Sequence, residues 1–403
     1  EAEDPVAAME KLVEEKQPDV LYLTEEQYAD LAGKGRLYDL DAAIKQDQFD
    51  LAAFQPSVID LLKARGGGKL YGLSPSFSSL ALYYNKDLFD KHGVPYPTDG
   101  MSWEDVLKLA ARFPVKKDGD DAWYGLLQPS AAKDAFELIR RIGEAKGLLY
   151  ADADAGKVSI DTPDWKAVFQ AVIDGYKSGT VSMPSSDEGG RGGARIAMRG
   201  MGGKATISFG PNSLKFMSGQ AAMTIDGPMV MSMMGMDQRM SVSASSGDGK
   251  KAESPFRKFE WDLVTVPVDP SQPDVMDGMS LDGVFAVNAS SENLPAAWEL
   301  VKYANGEQLA KTSATSSPSL SSRTAYKKQA EGKNMDAFYA LGANPQTLLQ
   351  SLPESFVTSF AELASGHIKQ VAAGTEALDD ALRAIQSQGQ DLLTKAGLET
   401  EQQ

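Results

Sequence analysis

A chain of 403 residues exceeds what one hydrophobic core ordinarily serves, and it predicts two domains. Its formal net charge of −16, from 40 basic and 56 acidic residues, argues against nucleic acid or an anionic membrane as the main partner. Cysteine is absent, which excludes disulfides, thiolate zinc sites and cysteine nucleophiles together, and no apolar run approaches the ~20 residues of a membrane span.

The chain opens on Glu1-Ala2-Glu3-Asp4-Pro5, without the basic-then-apolar pattern of an export signal. Val6 to Glu15 carries Val6, Met9, Leu12 and Val13 at helical spacing, and Pro18-Asp19 ends that helix. Val20 to Leu23 reads as a buried strand and Thr24 to Leu31 as a helix. A short strand, Leu70 to Leu73, runs into a loop of small polar residues, Ser74 to Ser79, and a second apolar run, Leu80 to Tyr84, closes at Asn85. Leu88 to His92 makes a helical turn stopped by Gly93. Ser102 starts a helix whose Trp103, Val106, Leu107 and Ala110 share a face, with Asp105 three past the cap. A strand, a polar loop and a strand place the Ser-rich loop where a ligand could sit.

Further on, Asp118 to Asp121 is a polar crossing, Trp123 to Leu126 a strand and Ala131 to Gly147 helical. Thr162-Pro163 starts a helix with Trp165, Val168, Phe169, Val172 and Tyr176 inward and Gly179 beyond its end. Met183 to Lys215 is glycine-rich and carries Arg191, Arg195, Arg199 and Lys204. A phosphate-binding loop fails there, because Ala205 follows Gly203-Lys204 and Met198 stands where the first glycine belongs. A mobile loop or hairpin, or an anion-contacting lid, remains. Asp226-Gly227-Pro228 reads as a strand-to-helix turn, with Asp226 a cap or a ligand acceptor. Met229, Met233, Met236 and Met240 then form a helical stripe, read as core or as a soft cleft wall. Phe259 to Val268 is a strand, Asp277 to Val287 the next, and Ala296 to Ala304 a helix ended by Gly306.

Several of these stretches resemble blocks of the family 1 extracellular solute-binding proteins, the bacterial relatives of maltose-binding protein that deliver solutes to ABC importers. YNKDLFDKHGVPYP followed by SWEDVLKLA resembles the family signature. PDVLYLTEEQYADLAGKGRLYDL resembles the block in which the loop after a strand faces the ligand. FMSGQAAMTIDGP resembles a third block. WDLVTVPV, DGMSLDGVFAV and LPAAWELVKYANGEQ resemble a fourth, Arg323 matches the arginine of a later turn, and Gly374 to Leu382 is similar to the closing helix.

The resemblance implies an α/β, two-lobed, periplasmic-binding-protein-like fold with a hinge and an interlobe cleft. It assigns residues 1–116 and 268–314 to an N-terminal lobe and 117–267 and 315–403 to a C-terminal lobe, with hinge crossings near 114–119, 264–270 and 312–318. Relatives carry a strand, a helix and a second strand ahead of the PDVLYL block, whereas 17 residues precede it here. Either the polypeptide is cut before this point, leaving an N-terminal segment of the same protein as a partner, or the missing element is supplied elsewhere.

Chemistry for turnover is thin. His92 and His367 lie far apart without evident partners, and no G-x-S-x-G occurs. The expectation is a binding protein and not an enzyme, without cofactor or metal, acting as an extracellular monomer anchored as a lipoprotein in its precursor. Its expected partners are a small-molecule solute, a sugar or oligosaccharide, and the membrane subunits of an ABC importer. The alternative is a family relative serving as a surface sensor or interaction protein. Carried over by position, two tryptophans of maltose-type relatives fall on Leu23 and Met229, and an aromatic-rich stretch falls on Gln128 to Ala132. These replacements argue against a malto-oligosaccharide. The candidate ligand-binding residues are Thr24, Glu25, Ser76, Phe77, Trp123, Asp226, Met229, Ser280, Asp282 and Arg323, each equally readable as loop structure.

Overall fold

The computed structural model describes residues 4–115, 123–128, 132, 134–153, 155–184, 195–200, 203–208, 211–234, 257–344 and 352–400. In chain order the strands are β1 Val20–Leu23, β2 Gly72–Leu73, β3 Ser76–Ser78, β4 Ala81–Asn85 and β5 Tyr124–Leu127. There follow β6 Ala151–Asp152, β7 Lys157–Val158, β8 Arg195–Gly200, β9 Gly203–Ser208, β10 Ala221–Asp226 and β11 Trp261–Thr265. The last are β12 Val275–Met276, β13 Ser280–Leu281, β14 Val284–Val287, β15 Leu320–Ser321 and β16 Gly342–Ala343.

The chain divides into two compact units, one of Glu1–Leu80, Gly227–Met229 and Asp274–Leu348, the other of Ala81–Asp226, Val230–Pro273 and Leu349–Gln403. These breaks fall elsewhere than 116, 267 and 314. Strand β4 pairs with β10 and β11 and so takes residues 81–115 into the second unit. In the other direction, β15 pairs with β3 and β16 with β12, which keeps that stretch in the first.

In the first unit β14 is central, antiparallel to β1 on one side and β2 on the other. Leu21 and Leu23 are buried, as are their cross-strand partners Ala286 and Val284. Thr24 caps the helix Glu25–Gly33 with a reciprocal box: its hydroxyl accepts from the Gln27 amide and the Gln27 side chain accepts from the Thr24 amide. That helix buries Tyr28, whose Oη donates to the Leu62 carbonyl at 3.2 Å and accepts from the Tyr71 amide at 3.1 Å. Gly72 lets β2 approach β14 closely, since a Cβ there would lie 2.5 Å from Val284 Cγ1.

The Ser-rich stretch expected as a loop contains a strand. Strand β3 is central in a second sheet, between β13 and β15. Three residues suffice because they alternate: Phe77 is buried at 1% exposure, and Ser76 and Ser78 on the other face are half-buried. The single long strand expected over Asp277 to Val287 is split into β13 and β14.

In the second unit the main sheet has the order β11-β4-β10-β5, with β10 antiparallel to β4 and parallel to β5. Strands β4 and β10 are buried along their whole length, as expected of central strands. The helix Pro163–Ser178 forms as its sequence dictates: the Thr162 hydroxyl accepts from the Trp165 amide, Pro163 opens the first turn, and Gly179 closes it at φ +80°. Its inward face is Trp165, Val168, Phe169, Val172 and Tyr176, all buried. Glu137–Ala145 is helical and shorter than the stretch expected from Ala131. Met236, Met240 and the crossing at 118–121 lie outside the described residues.

Candidate functional site

Strand β1 alternates, so Leu21 and Leu23 point inward and Tyr22 outward, 59% exposed. The Tyr22 ring rests on Phe285, its cross-strand partner, with centroids 4.8 Å apart. Gly283 makes room for it: a Cβ at that position would lie 2.2 Å from Tyr22 Oη. Asp282 next to this glycine is exposed, and its Oδ1 accepts from the Ser78 hydroxyl at 2.6 Å. Ser280, also exposed, stands opposite Ser78 in the β13–β3 register.

The backbone under this group is tied down. Asp282 donates its amide to the Ser76 carbonyl at 3.3 Å, and Ser74 Oγ lies 2.6 Å from both the Ser76 and Gly283 carbonyls. Glu25 serves as a strut, because one carboxylate oxygen pairs with Arg65 Nε at 2.7 Å and the other accepts from the Leu281 amide at 2.8 Å. Among the described residues no hydrogen bond engages Oδ2 of Asp282, which leaves an acceptor beside an exposed aromatic face. A cavity of about 240 Å³ in the same unit is lined by Ser76, Phe285, Ser313, Ser317, Ser319 and Ser321, among others.

Thr24, Glu25, Ser76, Ser280 and Asp282 thus gather in one region of the first unit, with Phe77 in the core below them against Tyr339. Arg323, in the same unit, donates Nε to the Asn305 carbonyl at 2.7 Å and lies 4.7 Å from the Phe54 ring centroid. Met229 is half-buried in the helix Pro228–Met234. Trp123 and Asp226 belong to the second unit. Trp123 packs near Phe113 and His92, while Asp226 is buried and accepts from the Ser213 hydroxyl at 2.7 Å. Burial pushes the nearby Tyr83 hydroxyl well above its usual range, and the Asp226 charge adds to that.

The sequence-based candidates include neither Tyr22 nor Ser78, which the structure brings beside Asp282 and Ser280. Matching by block carries the relatives' aromatic to Leu23, which is buried at 1% exposure. The signal was present in the two-residue period of Val20-Leu21-Tyr22-Leu23, with its aromatic on the face opposite the leucines. His367, read as partnerless, has Nδ1 2.9 Å from the Glu376 carboxylate. Among the described residues no cluster of three or more His, Asp or Glu could hold a metal, and no helix is long and apolar enough to cross a membrane.

Residues 2–340 match the sequence model of the bacterial extracellular solute-binding proteins. The chain belongs to that family. Family members are binding proteins and not enzymes. Among curated sequences, a binding protein of Brucella abortus is 28% identical over 119 residues, a match that spans 30% of this chain and 26% of that protein. Solved structures share the two-lobed α/β fold at low identity. UspC of M. tuberculosis superposes with a TM-score of 0.65 at 18% identity, covering 96% of this chain and 90% of that one. The sugar-binding protein MalE of Xanthomonas citri gives 0.61 at 18% identity, over 98% and 90% of the two chains. An ABC substrate-binding protein of Listeria monocytogenes, solved in complex with cycloalternan, gives 0.60 at 20% identity, over 96% and 87%.

Proposed function

We propose that this solute-binding protein captures a carbohydrate and delivers it to an ABC importer. The observation that carries the reading is the exposed Tyr22 ring with Ser78, Ser280 and the Asp282 carboxylate around it. A sugar ring has an apolar C–H face and a rim of hydroxyls. An aromatic face buries the first, and a carboxylate with free lone pairs accepts from the second. Family membership and fold relatives described as sugar-binding support the same class. On this reading Thr24, Ser76 and the other candidates of the first unit serve the same solute. The protein acts as a monomer outside the cell, its precursor is held by a lipid anchor, and importer membrane subunits receive the loaded form.

A thermal-shift panel of monosaccharides, oligosaccharides, polyols, amino acids and short peptides tests the class. A rise in melting temperature with a saccharide and with no amino acid or peptide is expected. A rise only with an amino acid or peptide contradicts the reading.

A further inference from the structure

The second unit holds a recess of about 1020 Å³, and none of the candidate ligand-binding residues lines it. The helix Pro163–Ser178 contributes Asp164, Ala167, Ala171, Asp174 and Ser178, spaced three and four residues apart along one face. All five are exposed, unlike the inward face of the same helix. The helix Trp103–Ala110 adds Trp103 and Leu107, and the helix Glu137–Ala145 adds Ile142, with Leu148 beyond its end. Asp269 joins them because Val268 bridges to Ser102, at the start of the Trp103–Ala110 helix. The recess is therefore apolar at its base, where Trp103, Ile142 and Val181 are buried, and charged at its rim.

Charge at the rim is unbalanced. Glu104 pairs with Lys108 at 2.7 Å, and the hydrogen bond and charge of Lys108, with a lesser share from Lys146, hold Glu104 below the usual carboxylate range. Asp164, Asp174 and Asp269 have no such neighbour. Among the described residues no cation pairs with them: Asp174 accepts from Gln170 and Asp269 from Ser271. Asp164 and Asp174 stand roughly 15 Å apart along the helix, at ~1.5 Å per residue, with Ala167 and Ala171 between them. An apolar base of this volume with a few polar groups at its edge has the make-up of a small-molecule pocket. We infer that the recess binds a hydrophobic organic amine, its apolar body over Trp103 and Leu107 and its ammonium held at the rim by the unpaired carboxylates. A neutral apolar molecule covers the base and leaves the carboxylates without a partner. An organic anion brings like charge to them, and a bare inorganic cation leaves the apolar base in water. This binding is independent of solute capture.

The test is a fluorescence titration of the 403-residue chain with probes that share one apolar body, pyrenemethylamine, pyrenemethanol and pyreneacetate. Saturable one-to-one binding of the amine is expected, with the alcohol about tenfold weaker and the carboxylate weaker still. Asp164→Asn/Asp174→Asn/Asp269→Asn should remove the preference for amine over alcohol. The control Asp50→Asn/Asp60→Asn/Glu331→Gln changes the net charge equally at exposed sites of the first unit and should keep that preference. Ala171→Trp fills the recess from an exposed position and should weaken amine binding at least ~tenfold. Failure of the amine to bind the unmodified chain overturns the inference on its own, as does a carboxylate bound as tightly as the amine. Amine binding unchanged by Ala171→Trp places the probe elsewhere and overturns it too. Equal loss of preference in the control also overturns it, since net charge and not the recess would then govern binding.

Discussion

Tyr22 owes its position to Gly283. No other residue type fits at 283 without displacing the ring, because the added Cβ would sit 2.2 Å from Tyr22 Oη and 2.3 Å from Cζ. Gly283→Ala should therefore lower solute affinity roughly tenfold through misplacement of an aromatic it does not replace. Titration calorimetry would show this, and unchanged affinity would show that the ring does not contact solute. Of the ten candidate residues, those chosen from the serine-rich segment and the Asp277 to Val287 stretch lie together in the first unit, and polar residues interrupting apolar runs are what singled them out in the sequence. Phe77 among them resembles a ligand platform by its aromatic character until pairing reveals that it faces the core against Tyr339. Leu23, the position matched to a relative's tryptophan, is buried, while its neighbour Tyr22 points outward, a difference of side that matching by block does not register.

Elements with local signals were read well. Thr162, Pro163 and Gly179 bracket a helix whose ends match the sequence expectation, since caps and φ restrictions act within a few residues. Strand β3 escaped because what makes it a strand is its partners β13 and β15, far away in sequence. The same dependence on distant partners applies to Gly143, which packs against Trp165: a Cβ there would lie 2.1 Å from the indole Cη2. Gly143→Ala gains helix propensity yet should destabilise the second unit by about 1–3 kcal/mol through overpacking. A denaturant melt measures this, and a neutral or stabilising result would contradict the packing described.

At the scale of the whole molecule, the fold class and family were legible because several blocks occur in order. The division into units was not, since it turns on β4 pairing with β10 and β11. Buried phenols give the molecule an alkaline limit. Burial pushes Tyr84, Tyr150 and Tyr339 each up to about 12. An unfolded chain ionises tyrosine near pH ~10 and so binds fewer protons than the folded chain above that pH. The stability these groups contribute is fully present below pH ~10 and is lost as pH rises towards about 12. Thermal melts across this range should fall steeply, and a flat profile would contradict the burial of these rings. The central claim is that a carbohydrate is held against the Tyr22 ring. Titration calorimetry of the unmodified chain and of Tyr22→Ala with the saccharide that most raises the melting temperature tests it most directly. Single-site binding is expected, weakened at least ~tenfold in the variant, which stays folded and loses only the roughly 0.2–1 kcal/mol of the Tyr22–Phe285 cross-strand pair. Equal affinity in the two proteins would contradict it.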